Sequence, residues 1–351
     1  MTRVADGPFL EKSQSDSVKE WFDIQSPPNE ILQGLRHLGL LAEGALAPGC
    51  PLAGGVSSDI WRIDLASGPV CVKRALPKLR VAMDWRVPVT RNIYEARWMR
   101  RAAAAVPGAV PALLGQDEAS GTLAMQFLPP ERYSLWKAEL REGRADPDFA
   151  RAVAATLVRI HAATAADPTV AAEFPTDQLF HDLRLAPYLL AAAAAHPGYA
   201  DALRELVQVT SRTKRAMVHG DVSPKNILKG PAGPVFLDAE CAWWGDPAFD
   251  LAFCLNHLLI KRRVVRGAKE ALGASFDRLA ERYLRQVDWE SRDDLEARAA
   301  TLLPALALAR VDGKSPLEYL DGLQREQLRQ DCRAALAAQP ASLAHVKMLL
   351  D

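Results

Sequence analysis

The sequence predicts an α+β fold in two unequal lobes. Strand-type alternation is concentrated in the first third of the chain, and helix-type spacing of apolar residues dominates the rest. The length, 351 residues, also exceeds the usual size of one domain. The divisions read as a weakly ordered lead-in over 1–26, a small strand-rich lobe over 27–128 and a larger, mostly helical lobe over 129–351. A cleft between unequal lobes is a natural ligand site.

Each element has a local reason. Ile31, Leu32, Leu35 and Leu38 give a short helical stripe. Trp61, Ile63 and Leu65 alternate with Arg62 and Asp64 as a strand does, Ser67-Gly68-Pro69 turns the chain, and Val70 to Ala75 is a second strand. A helix is expected from about Thr90 to Ala105, ended by Pro107-Gly108, and a strand from Thr122 to Leu128, stopped by Pro129-Pro130. Beyond it, Val153, Leu157 and Ile160 mark a helix over Phe149 to Ala165, and Leu203 to Thr210 another. A short β-type interruption occupies Ala216 to Leu237, and helices then run to the end. Asp246-Pro247 reads as an N-cap with proline at the first helical position. Ser315-Pro316-Leu317-Glu318 reads as a capping box, so a helix is expected there, preceded by a charged loop over Arg310 to Lys314.

Composition excludes several classes. With 49% hydrophobic and 25% charged residues the chain can bury a real core, which rules out wholesale disorder. Lys plus Arg balance Asp plus Glu at 43 each, so no basic footprint for nucleic acid exists overall. The five cysteines form no C-x-x-C pair, which suggests neither a zinc site nor a disulfide framework and favours the cytoplasm. The first twenty residues hold no apolar stretch of signal-peptide type, and the apolar runs elsewhere are too short to span a bilayer, so no membrane partner is expected.

Two segments carry the chemistry. In His219-Gly220-Asp221-Val222-Ser223-Pro224-Lys225-Asn226-Ile227-Leu228, a carboxylate and an amide five residues apart sit on a loop held by glycine and proline. They can face one point, one taking a proton and the other holding a cation. Seventeen residues after Asp221, the apolar run Val235-Phe236-Leu237 ends in Asp238-Ala239-Glu240. In strand geometry Asp238 and Glu240 share a face, an arrangement that suits a hard cation such as Mg2+ completed by phosphate oxygens.

These segments, H-G-D-V-S-P-K-N-I-L at 219–228 and L-D-A-E-C-A-W-W-G-D-P-A-F-D-L-A at 237–252, resemble the paired motifs of the aminoglycoside phosphotransferase family. The resemblance covers about residues 50 to 255 and implies a bilobal protein-kinase-like fold and transfer of a phosphoryl group from ATP to a small-molecule hydroxyl. It makes Asp221 the residue that accepts the hydroxyl proton, Asn226 and Asp238 the Mg2+ ligands, and Glu240 a further ligand. Asp250 becomes a structural residue bonding the catalytic loop, and His219 a brace for that loop. Lys73, inside an apolar strand where an unpaired ammonium is costly, is expected to pair with Glu95 on the following helix and to reach the α- and β-phosphates. Glu95 could instead pair with Arg91 one turn earlier.

Gly54 and Gly55 let backbone amides approach phosphate, and Ser57 and Ser58 add hydroxyl donors, as in the family's short phosphate loop. Cys71 shares a strand face with Lys73 and is expected against adenine. Gln126, Phe127 and Leu128 occupy the place of the interlobe hinge. Asn256 and His257 lie on a helix that either floors the acceptor pocket or carries a polar stripe. Lys261, Arg262, Arg263 and Arg266 are read as a helix end, with an anionic acceptor or partner as the sharper alternative. Neither D-F-G nor A-P-E occurs, which disfavours protein-kinase activity. A nucleotide-binding scaffold without turnover and a metal-dependent phosphohydrolase are the rival readings. The acceptor and the oligomeric state are not legible in the sequence.

Overall fold

Helix α1 (Asn29–His37) opens the small lobe of the computed structural model, which describes residues 25–52, 57–78, 80 and 86–351. Nearly all of the expected lead-in, together with Gly54 and Gly55, lies outside the described residues. Strands β1 (Gly49–Pro51), β2 (Ser58–Leu65), β3 (Gly68–Ala75), β4 (Leu113–Asp117) and β5 (Thr122–Gln126) form one antiparallel sheet in the order β1-β2-β3-β5-β4. Helix α2 (Arg91–Ala105) crosses between β3 and β4 in sequence. One sheet face buries Trp61, Ile63, Val70, Val72 and Ala124 against Ile31, Leu32 and Leu35 of α1. Period-two alternation then turns Cys71 and Lys73 to the other face. Gly34 makes the α1 contact feasible, because a Cβ there would stand 2.5 Å from Thr122 Oγ1.

The larger lobe begins with β6 (Ser134–Leu135), α3 (Trp136–Arg141) and α4 (Pro147–Thr164), followed by the short helices α5 (Pro168–Glu173) and α6 (Asp177–Phe180). A π-helix spans His181–Leu190, continues into α7 (Ala191–Ala195) and precedes α8 (Ala200–Arg212). It contains Pro187, whose missing N–H disfavours the regular ladder. Strands β7 (Ala216–Val218), β8 (Ile227–Gly230), β9 (Gly233–Phe236) and β10 (Trp243–Gly245) form two small sheets, β6-β8-β9 and β10-β7. Helices α9 (Pro247–Val264), α10 (Lys269–Leu284), α11 (Arg292–Asp312), α12 (Gly322–Ala338) and α13 (Leu343–Leu349) complete the chain. Buried residues of α4, α9, α10 and α11 form the core. Among the described residues no helix is long and apolar enough to cross a membrane.

Three expectations need correction. Strand β5 stops at Gln126, so Phe127 and Leu128 stand beyond the ladder, ahead of the two prolines. No helix starts at Pro316. Ser315 Oγ accepts from Arg310 Nη1 at 2.9 Å, and Leu317 N donates to Arg310 O, so this segment is held as an irregular strap. The capping box sits instead at Asp321 and Gln324, where α12 begins. Residues Arg310 to Asp312, read as loop, are the last turn of α11.

Candidate active site

The chain leaves β7 through His219, Gly220 and Asp221. Gly220 has φ +79°, and a Cβ there would meet Cys241 O at 2.6 Å, so this turn requires glycine. Asp250, in the first turn of α9, accepts from His219 N at 2.7 Å and Gly220 N at 2.8 Å. His161 Nε2 lies 3.2 Å from Asp250, and its Nδ1 lies 2.6 Å from the Tyr283 hydroxyl. His219 Nε2 bonds Leu237 O at 3.1 Å while its Nδ1 accepts from Asp221 N at 3.1 Å, which assigns the proton to Nε2. Burial holds the His219 pKa below its ordinary value, consistent with a neutral ring. The Trp98 ring of α2 packs edge-on against His219 with centroids 4.7 Å apart. The bracing expected of Asp250 and His219 is thus seen atom by atom.

Asp221 is almost fully buried. Its Oδ2 lies 2.9 Å from Arg184 Nη2 and 3.2 Å from Lys225 Nζ. Burial opposes the charge, but Lys225 and Arg184 outweigh it and hold the carboxyl below its usual range. Sequence reading missed Arg184. The signal was a single cation in the apolar run around Leu183 and Leu185, the same signal that singled out Lys73.

Lys73 joins the lobes. Its ammonium donates to Glu95 Oε2 at 2.7 Å and also to Asp238 Oδ1. Burial works against the charge, yet Asp238, Glu95 and Glu240 raise the Lys73 pKa above the ordinary lysine value. Burial likewise opposes the Asp238 carboxylate, and Lys73 and Lys225 hold its pKa below the usual range. Arg91 does not pair with Glu95. Its Nε donates to Glu240 Oε2 at 2.9 Å, and its other nitrogens to the carbonyls of Val87, Pro88, Ser57 and Leu76. Asp238 and Glu240 do not share a strand face as expected. The strand ends at Phe236, and Asp238 takes a left-handed conformation with φ +65°. One carboxylate therefore meets Lys73 and the other Arg91.

Asn226 Nδ2 donates to Asp221 O at 3.1 Å, and Leu237 N donates to Asn226 O at 2.9 Å, which brings the loop and the end of β9 together. The first bond leaves the Asn226 amide oxygen free of it. One amide oxygen and one carboxylate, from Asn226 and Asp238, make a hard-oxygen set that fits Mg2+ when phosphate completes the shell. Among the described residues no three His, Cys, Asp or Glu side chains gather as a metal site on their own.

The remaining expected residues are spread around the sheet. Ser57 O accepts from Leu76 N at 2.9 Å, and Ser58 is fully buried at the start of β2. Gln126 N donates to Ala112 O at 2.8 Å, and the Arg62 guanidinium lies 5.2 Å from the Phe127 ring centroid. Cys71 pairs with Met125 across the ladder, and burial pushes its thiol up to about 12. On the other side of Asp221 a cavity of about 490 Å³ opens between α3, the π-helix, α9 and α11, with Tyr188, Phe253, His257 and Tyr319 in its walls. His257 therefore lines this cavity, whereas Asn256 is fully buried beside it in sequence.

The model of the phosphotransferase enzyme family (APH) matches residues 49–290. The chain belongs to that family. Methylthioribose kinase 2 of Oryza sativa subsp. japonica is 23% identical over 222 residues, covering 55% of this phosphotransferase-family chain and 52% of that protein. The chain thus spans about half the length of the curated relative it matches. Among solved structures, a choline/ethanolamine kinase family protein from Mesorhizobium loti superposes with a TM-score of 0.52 at 16% identity, covering 89% of this chain and 97% of that one. An amicoumacin kinase, solved with AMP-PNP and Ca2+, gives 0.51 at 14% identity, with 84% and 90% covered. At these identities the likeness is one of fold.

Proposed function

We propose that this family member transfers the γ-phosphoryl group of ATP to a hydroxyl of a small molecule. The observation that carries the reading is the convergence on Lys73. An ammonium from the small-lobe sheet, a carboxylate from α2 and a carboxylate at the end of β9 meet there, one bond network away from Asp221. Family membership and the AMP-PNP held by the amicoumacin kinase support a nucleotide in the same cleft.

In this reading Lys73 reaches the α- and β-phosphates, and Glu95 holds it in place. Gly54, Gly55, Ser57 and Ser58 form the phosphate loop, Ser58 through its backbone because its side chain is enclosed. Cys71 packs against adenine, and the backbone of Gln126, Phe127 and Leu128 meets the adenine edge. Asn226 and Asp238 would hold Mg2+, which supplies charge neutralisation on the phosphate oxygens. Glu240 joins them only by sharing its carboxylate with Arg91.

Asp221 accepts a hydrogen bond from the acceptor hydroxyl. As the new O–P bond forms and the bond between the γ-phosphorus and the β–γ bridging oxygen breaks, ADP leaves and the hydroxyl proton passes to Asp221 and then to solvent. Arg184 and Lys225 keep Asp221 ionised and aimed beforehand, so catalysis is positioning and charge stabilisation. Product analysis with γ-labelled ATP across a set of hydroxyl compounds tests the reading. Label on an organic hydroxyl is expected. Label only in free phosphate means a hydrolase, and intact ATP under every condition means a binding scaffold.

A further inference from the structure

The cavity beside Asp221 is walled by five cations, Lys137, Arg141, Lys225, Lys261 and Arg310, and by two carboxylates, Asp221 and Glu318. Asp221 is already matched by Arg184 and Lys225. Glu318 is exposed on the strap and adds only a weak opposing influence at Lys137. Among the described residues, none of Lys137, Arg141, Lys261 and Arg310 forms an ion pair with a carboxylate. Their neighbours on α9 behave differently. Arg262 is paired with Asp351, and Arg263 with Asp331 at 2.6 Å. Unpaired cations therefore gather on the residues that face the cavity, while these two neighbours are neutralised.

Lys261 is the sharpest case. Only 2% of it is exposed, and among the described residues its ammonium has no anionic partner; it lies 5.7 Å from the Tyr319 ring centroid. Burial, then Lys137 and Arg310, pull its pKa down to about 7. Buried charges are ordinarily paired, so a cluster of this kind marks the place of an anion that a ligand brings. Arg310 is held ready for it: Nη1 donates to Ser315 Oγ at 2.9 Å and to the Tyr188 hydroxyl at 3.3 Å. A guanidinium fixed in this way is suited to a planar carboxylate or a phosphate. The cavity volume falls within the range of small-ligand sites.

We infer that the acceptor is an anionic hydroxyl compound, its phosphate or carboxylate group seated among Lys261, Arg310, Lys137 and Arg141 while its hydroxyl lies at Asp221. The hydroxyl half of this inference rests on the phosphotransferase reading; the anion half rests on the cavity alone. An acceptor carrying an ammonium group would be repelled by the same walls. Bound anion also favours the charged form of Lys261. Above pH 7 binding should therefore take up a proton, and affinity should fall as the pH rises. The groups that face Lys261 from the packed elements are Lys137 and Arg141 of α3, Arg310 of α11, Tyr319 and Glu318 of the strap, and His257 and Cys254 of α9. His257 does not compete for that proton near neutrality, because burial, then Lys261 and Arg310, hold its own pKa well below 6.5.

The test uses the full chain and one small scaffold at several charges. ADP formation from Mg2+–ATP is measured with glycerol, glycerate, glycerol 3-phosphate and choline. Inorganic phosphate is titrated separately by calorimetry at pH 8 in two buffers of different ionisation enthalpy. The expected result is turnover or competitive inhibition by the two anions alone, and phosphate binding with proton uptake. Both should weaken at least tenfold in Lys261→Met and in Arg310→Gln. The second variant carries the test if the first does not fold, and ATP affinity is the folding control. Anion binding without ADP formation from any hydroxyl compound leaves the site standing and removes the kinase reading. Turnover of glycerol or choline that both variants leave unchanged keeps the kinase reading and overturns this inference. So does the absence of both phosphate heat and any effect of the two anions.

Discussion

The two sides of Asp221 are built on opposite electrostatic principles. Toward the small lobe each buried charge is answered: Lys73 by Glu95 and Asp238, and Arg91 by Glu240 and four carbonyls. Toward the cavity, Lys137, Arg141, Lys261 and Arg310 line one wall region and, among the described residues, none is ion-paired with a carboxylate; Glu318 there is exposed. The first region is organised before any ligand arrives. In the second, charge balance waits for the ligand. In the proposed reading, the donor side can be finished in advance because it receives the same nucleotide in every cycle. An acceptor side selects its ligand by what it leaves unsatisfied.

Asp221 stands between the two, and removing its charge should give the largest effect. Asp221→Asn keeps the shape but cannot take the acceptor proton. We expect kcat to fall by roughly 10³-fold with ATP affinity nearly unchanged. Steady-state ADP assays with the identified acceptor, together with ATP titration, check this. A variant within a few-fold of the parent would remove Asp221 as the proton acceptor.

On the answered side, Arg91→Met should be felt in stability. It leaves Glu240 enclosed without its guanidinium and strips four carbonyls of a donor. Breaking a buried pair from one side costs about 3 kcal/mol or more. Urea unfolding followed by tryptophan fluorescence reads the change, and a loss below about 1 kcal/mol would mean that the network is not as closed as its geometry indicates.

How far each side was legible follows the same division. The side assigned to the nucleotide is written in short linear segments: 219–228, 237–252, Lys73 in an apolar strand and Glu95 on the next helix. The cavity is gathered from positions 137 to 319, on α3, the π-helix, α9, α11 and the strap, and no local spacing connects them. Lys261 and Arg310 were visible only as a basic helix end and a charged loop. Their meaning depends on what they fail to touch. The strap was misread because Ser315 and Glu318 have capping-box spacing, while the competing partner of the Ser315 hydroxyl, Arg310, belongs to another element. Arg184 was lost in a helix whose π-type spacing defeats the 3.6-residue period.

On the unanswered side, the effect on stability should be smaller and of opposite sign. The folded pKa of Lys261, about 7, lies below its ordinary 10.5. Between these values the unfolded chain binds more protons than the folded one, so stability rises with pH across that window. The destabilisation by Lys261 is complete at and below about pH 7 and fades toward pH 10.5. Lys261→Met should therefore stabilise the ligand-free protein at pH 7, with the gain shrinking as the pH approaches 10. Denaturant unfolding of parent and variant at pH 6, 7, 8.5 and 10 gives the curve. A difference independent of pH would show that Lys261 is not held as a buried, easily discharged ammonium.

The smallest expected effect probes the sheet face proposed to lie above the nucleotide. Cys71 lies on the same face of β3 as Lys73, opposite the face that Val70 and Val72 bury against α1. Burial pushes its thiol up to about 12, so at pH 8 little thiolate is present and alkylation should be slow even without ligand. If this face roofs the adenine, Mg2+–ATP should slow alkylation several-fold further. Cys71→Ala should hardly change ATP affinity, since a thiol against a ring offers packing and no strong bond. Cys71→Trp should block the nucleotide by filling its place. Mass spectrometry resolves the rate at Cys71 from that at Cys332, which is fully buried in α12 and reports any general tightening of the protein. A Cys71 rate that ignores ATP, with normal binding by the tryptophan variant, would place the adenine elsewhere. Lys73 would then be left as a bridge between the lobes with no phosphate to hold.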